Sequence, residues 1–588
     1  MKQDWRIYAK KADFNAISAK YGIDPVIARI LRNRDVVTDK DFEKYLYGTL
    51  DSVCDPREML DIELGTDIIA SAIEAGENIR VVGDYDVDGV MSTYILYDGL
   101  KNAGANVSYD IPHRIQDGYG INERIIRKAF EEGIDVIITC DNGIAAVNSI
   151  AVAAELGMTV VVTDHHEIQD ALPEADAIID PHQEGDGYAY PDICGAVVAY
   201  KFIQVLYDSM GIELPGRKYL EMLALATVCD VMPLLDENRI YVREGLRELE
   251  KTENTGLQAL LKVTEMKGKN LGSYSLGFVI GPCINAAGRL EDAKLALELL
   301  LETDEAEAEK KAEYLKKLND SRKSMTEEGE KKAMQVLAPR MTEIDGEMIP
   351  TDSVLVLYIE GLHESLAGIV AGRIKERYYR PTIIFTDSDK DGSIIKGSGR
   401  STDAYNMFEG IIRHKDMMVK FGGHPLAAGL TIKRENLDKL RELLNEECGL
   451  TERDMIPKMM IDVPMPMSYA TMKLAEQIEA LEPYGKGNEK PLFAEKDLEI
   501  LGARIMGVNR NVIRIKLRNS RGFVSEVIYF RPDEFEMNIN RWFESEDCDK
   551  ILKGIPTGCK LDVAYEVGIN DFNGVVSLQF VLKAYDKA

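Results

Sequence analysis

The sequence predicts an α/β protein: a parallel sheet wrapped by helices, a smaller α/β unit beyond a long helix, and a C-terminal β-barrel. Three patterns predict it. Between about 60 and 235, short apolar runs alternate with helical patterns, the signature of strand–helix–strand repetition and a parallel sheet. The stretch 303–340 is dense in Glu, Lys and Ala and lacks proline up to its last residues, so it reads as helix with solvated ion pairs. The last ~130 residues switch to period-two alternation broken by Gly and Asn turns, which suits a small barrel.

The elements follow in order. "IRVVGD", "ANVSYDIP", "DVIITCD", "MTVVVTDHH" and "ADAIIDP" read as strands. "LGTDIIASAIEAG", "GVMSTYILYDGLKNAG", "NERIIRKAFEEG" and "IAAVNSIAVAAELG" read as helices, each ending near glycine. At about 350–450 come a strand "SVLVLYIE", a helix through "LAGIVAGRIKERY" and a strand "PTIIFTDSD". The expected boundaries are an N-terminal segment 1–50, a catalytic domain 51–302, a connecting helix (or two) 303–340, a second α/β domain 341–452 and a barrel domain 453–588.

Composition narrows the classes. A chain of 588 residues should hold several domains. A net charge of −29 argues against coating DNA by bulk attraction, while leaving room for a local basic groove. No apolar run is long enough to cross a membrane, and "MKQDWRIYAK" lacks the pattern of a signal peptide. The eight cysteines are scattered without a CxxC pair, so zinc is not expected and a reduced, cytoplasmic protein is. No GxxxxGK[ST] occurs, so ATP use is not expected.

Chemistry gathers at the strand ends. "GDYDVDG" places Asp84, Asp86 and Asp88 two residues apart. Asp141 ends "VIITCD", Asp164 with His165 and His166 ends "VVVTDHH", and Asp230 ends "ALATVCD". In a parallel sheet such ends share one edge, where ligands bind. Four acid-tipped strands and a histidine pair are expected to converge there. A single Asp in such a place is usually a helix cap, and for Asp230 alone the two readings balance. Together, the carboxylates would raise one another's pKa unless cations neutralise them. Oxygen ligands with one histidine suit Mn²⁺ or Mg²⁺ rather than Zn²⁺. Two such ions ~4 Å apart would clamp a phosphoryl group and activate water.

The motifs "DYDVDG", "DNG" and "DHH" resemble the first three motifs of the DHH phosphoesterase superfamily. "VCDVMPL", "GPCINAAGRL", "LHESLAGIVAGRI", "KGSGRS", "FGGHPLAAGL" and "LEPYGKGNEKPLF" are similar to those of its RecJ single-strand-specific exonucleases. The resemblance implies a DHH domain, a DHH-associated domain and an OB-fold barrel. It implies that Asp86 and Asp88 each bind one metal ion, that Asp141 bridges two ions, and that His165 and Asp230 complete the second. Asp84 would be a near orienter or shared ligand, Asp164 would orient a histidine, and His166 would contact the scissile phosphate. Arg114, Ser398 and Arg400 resemble the pocket for a 5′-terminal phosphate. Asn285, Arg289, His363 and Arg373 would contact the strand, as would Gly422, Gly423 and His424, with "KGSGRS" and "FGGH" supplying backbone N–H groups. Two departures stand out: Cys283 occupies a place where the family usually carries arginine, and "LHES" replaces the commoner "HEG".

The barrel adds its own signal. Residues 502–522 hold six basic residues and no acid. Alternation in "IRIKLR" puts Arg514, Lys516 and Arg518 on one face and Ile513, Ile515 and Leu517 in the core, an electrostatic track for single strands or else a plain solvated face. The expected function is a two-metal, 5′→3′ exonuclease that degrades single-stranded DNA to mononucleotides in recombination and repair. Expected partners are single-stranded DNA, a single-strand-binding protein and a helicase, with no membrane, and the enzyme is expected to be a monomer. A phosphodiesterase of short oligonucleotides or cyclic dinucleotides is disfavoured by the barrel. A metal-less replication scaffold is disfavoured by the intact acidic set.

Overall fold

A computed structural model describes residues 3–168, 171–214, 216–344, 346–388, 392–507, 509–572 and 574–588. The chain forms two compact units. The first comprises chiefly 54–232 and 241–457, the second 3–53, 233–240 and 458–588.

In the first unit the five expected strands form. They are β1 (Asn78–Val82), β2 (Asn106–Asp110), β3 (Val136–Cys140), β4 (Thr159–Thr163) and β5 (Ala177–Ile179). They pair in parallel in the order β2-β1-β3-β4-β5. The four expected helices α1 (Ile62–Ala75), α2 (Val87–Asn102), α3 (Glu123–Glu131) and α4 (Val147–Glu155) connect them. β3 is buried at every position, as a central strand covered on both faces must be.

Between the sheet and the long helix, α5 (Gly195–Met210), α6 (Leu220–Cys229) and α7 (Gly281–Leu290) are the helices that matter for the site. α6 corrects the sequence reading: "ALATVCD" is not a strand tipped by an acid but a helix with Asp230 as its C-cap. Most of its residues are buried, so the run shows little period to tell helix from strand. Its Leu, Met and Ala content favours helix.

α8 (Glu305–Leu337) is a single helix of 33 residues. Beyond it lie β6 (Leu355–Tyr358), α9 (Ala367–Tyr378), β7 (Thr382–Asp387), β8 (Ile394–Arg400), β9 (Met418–His424) and β10 (Ala427–Lys433). The sheet order is β9-β10-β8-β7-β6. β8 is thus an interior strand, hydrogen-bonded to β7 and β10. The "KGSGRS" backbone is spent on the ladder and does not form a loop of free N–H groups. "FGGH" lies in β9, the edge strand.

The second unit closes a five-stranded barrel from β11 (Phe493–Met506), β12 (Val512–Arg518), β13 (Val524–Tyr529), β14 (Lys560–Phe572) and β15 (Val575–Lys587). Their order is β11-β12-β13-β15-β14, with β11 pairing back to β14. The N-terminal segment joins this unit. Strand Asp4–Ile7 pairs with Lys458–Ile461, and buried Arg34 reaches Asp462 at 3.0 Å. Ile27, Ile30 and Leu31 share the barrel's apolar cluster with Phe493 and Ile515. Among the described residues, no helix is long and apolar enough to cross a membrane.

Candidate active site

The turn after β1 resolves the crowding of three aspartates by separating them. Asp84 lies in the turn. Asp86 is the N-cap of α2, its carboxylate accepting from the Gly89 N–H at 3.1 Å. Asp88, inside the first turn, accepts from the N–H groups of Gly195 and Ala196 at 2.7 and 2.8 Å. These belong to the N-terminus of α5, whose dipole favours the negative charge. A Cβ on Gly89 would lie 2.4 Å from the Asp84 carbonyl oxygen, so only glycine admits this fold-back.

Asp141 follows β3 at φ 59°, a left-handed conformation of the kind that collects at functional sites. Its Oδ1 lies 3.0 Å from His165 Nε2. The same nitrogen is 3.4 Å from Asp88 and 3.8 Å from Asp230. Ligand atoms of Asp84, Asp86 and Asp141 lie within 4.8 Å of one another, as do those of Asp88, His165 and Asp230. Asp141, His165 and His166 make a third such group. Asp141 therefore links the first group to His165 of the second.

Asp84, Asp88 and Asp141 are buried. Burial first, then the charge of Asp86, pushes the Asp84 carboxyl well above the usual carboxylate range. Burial, followed by Asp88, Asp86 and Asp84, does the same to Asp141. Asp84 also keeps a buried Oδ1 without a hydrogen-bond partner. Crowded carboxylates that resist ionising, one with an orphaned oxygen, are the donor set a hard divalent cation satisfies. A set of oxygens with one imidazole suits Mn²⁺ or Mg²⁺.

Asp164 stands behind the histidines. It accepts from the backbone N–H groups of His165 and Ile144 at 2.8 and 2.9 Å, and its Oδ1 lies 2.7 Å from His166 Nδ1. Burial opposes protonation of His166, but the bond to Asp164 and the charges of Asp164, Asp230 and Asp88 outweigh it and lift its pKa to about 9. The histidine Asp164 orients is thus His166. Tyr119, which the sequence reading passed over, brings its hydroxyl within 3.1 Å of the same Nδ1 and donates to the Asp141 carbonyl at 3.0 Å.

Beside the acidic cluster the charge reverses. Arg400, at the end of β8, donates to Ser398 Oγ at 3.3 Å. Both sit at the N-terminus of α9, where a Cβ on Gly368 would lie 2.7 Å from the Arg400 guanidinium. An arginine, a hydroxyl and a helix N-terminus make an anion site. Burial first, then Arg114, holds the Arg400 pKa down. Burial and the charges of Arg114, Arg322 and Arg400 hold Arg289 at about 9. Arg114 lies over the Tyr85 ring, 3.9 Å from its centroid, with its Nε unpartnered. His424 is lowered by burial and by Arg400. Gly422 and Gly423 share its edge strand. His363 Nδ1 is 2.8 Å from Ser365 Oγ, and Arg289 donates to the Ser365 carbonyl at 3.0 Å.

Other expectations need correction. Arg373 is ion-paired with Glu330 of α8 at 3.2 Å, so its charge is answered within the fold. Arg322, read as part of a solvated helix, is the missed member of the cluster. Cys283 is buried and faces α8, where Asn319 Nδ2 donates to its sulfur at 3.5 Å. On β12 the predicted alternation holds, with Ile513, Ile515 and Leu517 buried and Arg514, Lys516 and Arg518 exposed. Yet Arg514 pairs with Glu526 at 3.4 Å and Arg518 with Glu499 at 2.7 Å. The acids come from neighbouring strands, outside the purely basic stretch.

Three family models match: the DHH family, N-terminal domain, over residues 78–227, the DHHA1 domain over 351–449 and the RecJ OB domain over 461–584. The single-stranded-DNA-specific exonuclease RecJ of Bacillus subtilis is 32% identical over 99% of this chain and 70% of its own length. That of Haemophilus influenzae is 31% identical over 95% of each. The crystal structure of RecJ from Thermus thermophilus in complex with Mn²⁺ superposes with a TM-score of 0.81 at 25% identity, covering 100% of this chain and 80% of that one.

Proposed function

The chain belongs to the RecJ family of single-stranded-DNA-specific exonucleases, and on that premise we propose that it is a two-metal, 5′→3′ exonuclease of single-stranded DNA. The observation that carries the reading is the pairing of opposite charge clusters in one compact unit. Asp84, Asp86, Asp88, Asp141, His165 and Asp230 gather on one side, Arg114, Arg289, Arg400 and Ser398 on the other.

Asp86 and Asp88 would each hold one Mn²⁺ or Mg²⁺ ion, Asp141 would serve both, and His165 with Asp230 would hold the second. When bound, such ions polarise a phosphodiester and lower the pKa of the attacking water. The chain's own groups do the rest. Asp164 fixes His166 as an oriented cation, placed to offset charge developing on the phosphoryl oxygens. Asp84 and Tyr119 brace the ligand turns. Ser398, Arg400 and Arg114 receive a 5′-terminal phosphate, whose extra charge over an internal diester suits arginine. That pocket supplies the polarity, because nothing in the metal ligands distinguishes one strand end from the other. Release of 5′-mononucleotides in recombination and repair, action as a cytoplasmic monomer, and delivery by a single-strand-binding protein and a helicase rest on the family resemblance alone.

The test is product analysis. Strands labelled at either end are digested with Mn²⁺ and Mg²⁺ separately. Labelled mononucleotide released at once from the 5′ end, with the 3′ label retained until late, is the expected result. Early release from the 3′ end overturns the polarity.

A further inference from the structure

The helical ribbon that carries Asn285 and Arg289 begins with two aromatic rings that the reaction does not use. Tyr274 and Phe278 are 71% and 67% exposed. Their rings stack on each other, with centroids 5.1 Å apart and planes 18° apart. Two large rings held in the open need an explanation that a core residue does not. Tyr274 is the N-cap of a π-helical turn, Ser275–Ile280, that contains Phe278 and runs directly into α7. Such turns are rare and gather at functional sites.

Their place points to the occupant. The turn packs on the end of α6: Gly277 lies against Val228, and the Cys229 thiol reaches the Leu276 carbonyl at 3.7 Å. The next residue is Asp230, a metal-ligand candidate. Tyr274, Phe278, Pro282, Asn285 and Arg289 are among the positions along the ribbon that are not buried. Steps of three and four put these five on one stripe. One end of the stripe is Arg289, inside the arginine cluster. Midway, Asn285 keeps a buried Oδ1 without a partner. The other end is the ring pair, roughly 16 Å from Arg289 at 1.5 Å per residue. Exposed Lys267 and Lys269 lead into the turn.

We infer that Tyr274 and Phe278 form a base-stacking platform for the strand, some two to five nucleotides from the bound terminus. The count follows from a spacing of ~3.4 Å for stacked nucleotides and roughly twice that for extended ones. The inference rests on the proposed single-stranded-DNA substrate and adds a positioning subsite to it. Stacking tolerates any base, since every base has a π-face, which suits an enzyme that must advance through any sequence.

The experiment reads binding by fluorescence anisotropy of a 5′-phosphorylated 20-mer, with Ca²⁺ replacing the catalytic metal, beside cleavage by the wild type. The strand is used intact and with abasic sites at nucleotides three to six. The proteins are wild type, Tyr274→Ser/Phe278→Ser and Tyr274→Leu/Phe278→Leu, all with unchanged melting temperatures. Both double variants should bind the intact strand roughly tenfold or more weakly, and turnover at saturating strand should be retained. The abasic strand should weaken wild-type binding similarly, and the two losses should not multiply. Unchanged affinity of the variants, or fully multiplicative losses, overturns the platform. A wild type that binds in this way yet cleaves nothing overturns the exonuclease reading and leaves the platform standing.

Discussion

The catalytic unit and the barrel treat charge in opposite ways. In the first, like charges are crowded and left unanswered. Buried aspartates push one another's pKa up, and arginines push Arg289 down. In the second, the basic strand is answered residue by residue, Arg514 by Glu526 and Arg518 by Glu499. A run of like charge in sequence is therefore a weak guide to function. What marks a site is like charge that the fold declines to neutralise, because only a ligand can then do so.

The sharpest way to break this comparison is at Asp141, which joins Asp84 and Asp86 to His165. Asp141→Ala should leave the fold intact and lower turnover by roughly 10³-fold or more, the scale of removing a charge-organising group from a catalytic site. Near-normal turnover at saturating metal would rule out its shared role.

The cationic half is tested at Arg400. A charge-assisted contact to a terminal phosphate contributes about 1–3 kcal/mol. Arg400→Ala should therefore cut the preference for 5′-phosphate over 5′-hydroxyl strands by about tenfold to a hundredfold, with cleavage chemistry kept. If the variant retains the full preference, terminus recognition lies elsewhere.

A third test uses the raised carboxylates directly. Asp84, Asp88 and Asp141 all have folded-state pKa values above the ordinary carboxylate value, burial being the first cause. Groups raised in this way stabilise the fold at low pH, and the contribution is lost as pH climbs through the raised values. Chelated protein should then melt progressively lower as pH climbs above the ordinary carboxylate range. Saturating Mn²⁺ should flatten that fall, since it supplies the positive charge the cluster lacks. Identical melting profiles with and without metal across the pH range would mean the cluster is not a metal site.

Most of the acidic half was legible because Asp84, Asp86, Asp88, Asp141 and His165 follow strand ends, and local order in the chain is local order in space. Asp230 shows the limit. The fold brings it to Asp88 and His165, but from the end of a helix, and a largely buried run gives little period to tell helix from strand. The arginine half was only partly legible. Arg114, Arg289, Arg322 and Arg400 come from a loop, α7, α8 and β8, and only folding shows that they meet. Arg322 lay hidden in a helix whose composition reads as solvated surface. Tyr119 had no signal beyond its place in "GYG". The N-terminal segment's attachment to the barrel rests on pairing across the length of the chain, which no local pattern announces.

The smallest expected effect concerns the barrel and sharpens the comparison from its other side. Were Arg514, Lys516 and Arg518 a free phosphate track, replacing all three with Ser would reduce the salt slope of single-strand binding by roughly three units, one per lost contact. The structure commits Arg514 and Arg518 to acids on β13 and β11, while Lys516 makes no such ion pair among the described residues. Surface pairs like these are weak, so DNA could displace them, but each acid left behind would repel the backbone. The triple substitution should therefore lower the slope by about one unit, with turnover at saturating strand unchanged. Replacing Glu499 and Glu526 with Gln should do the reverse, tightening binding and steepening the slope, because it frees two arginines. A slope change near three in the first variant, with none in the second, would mean the paired arginines already hold DNA and would collapse the distinction between the two units.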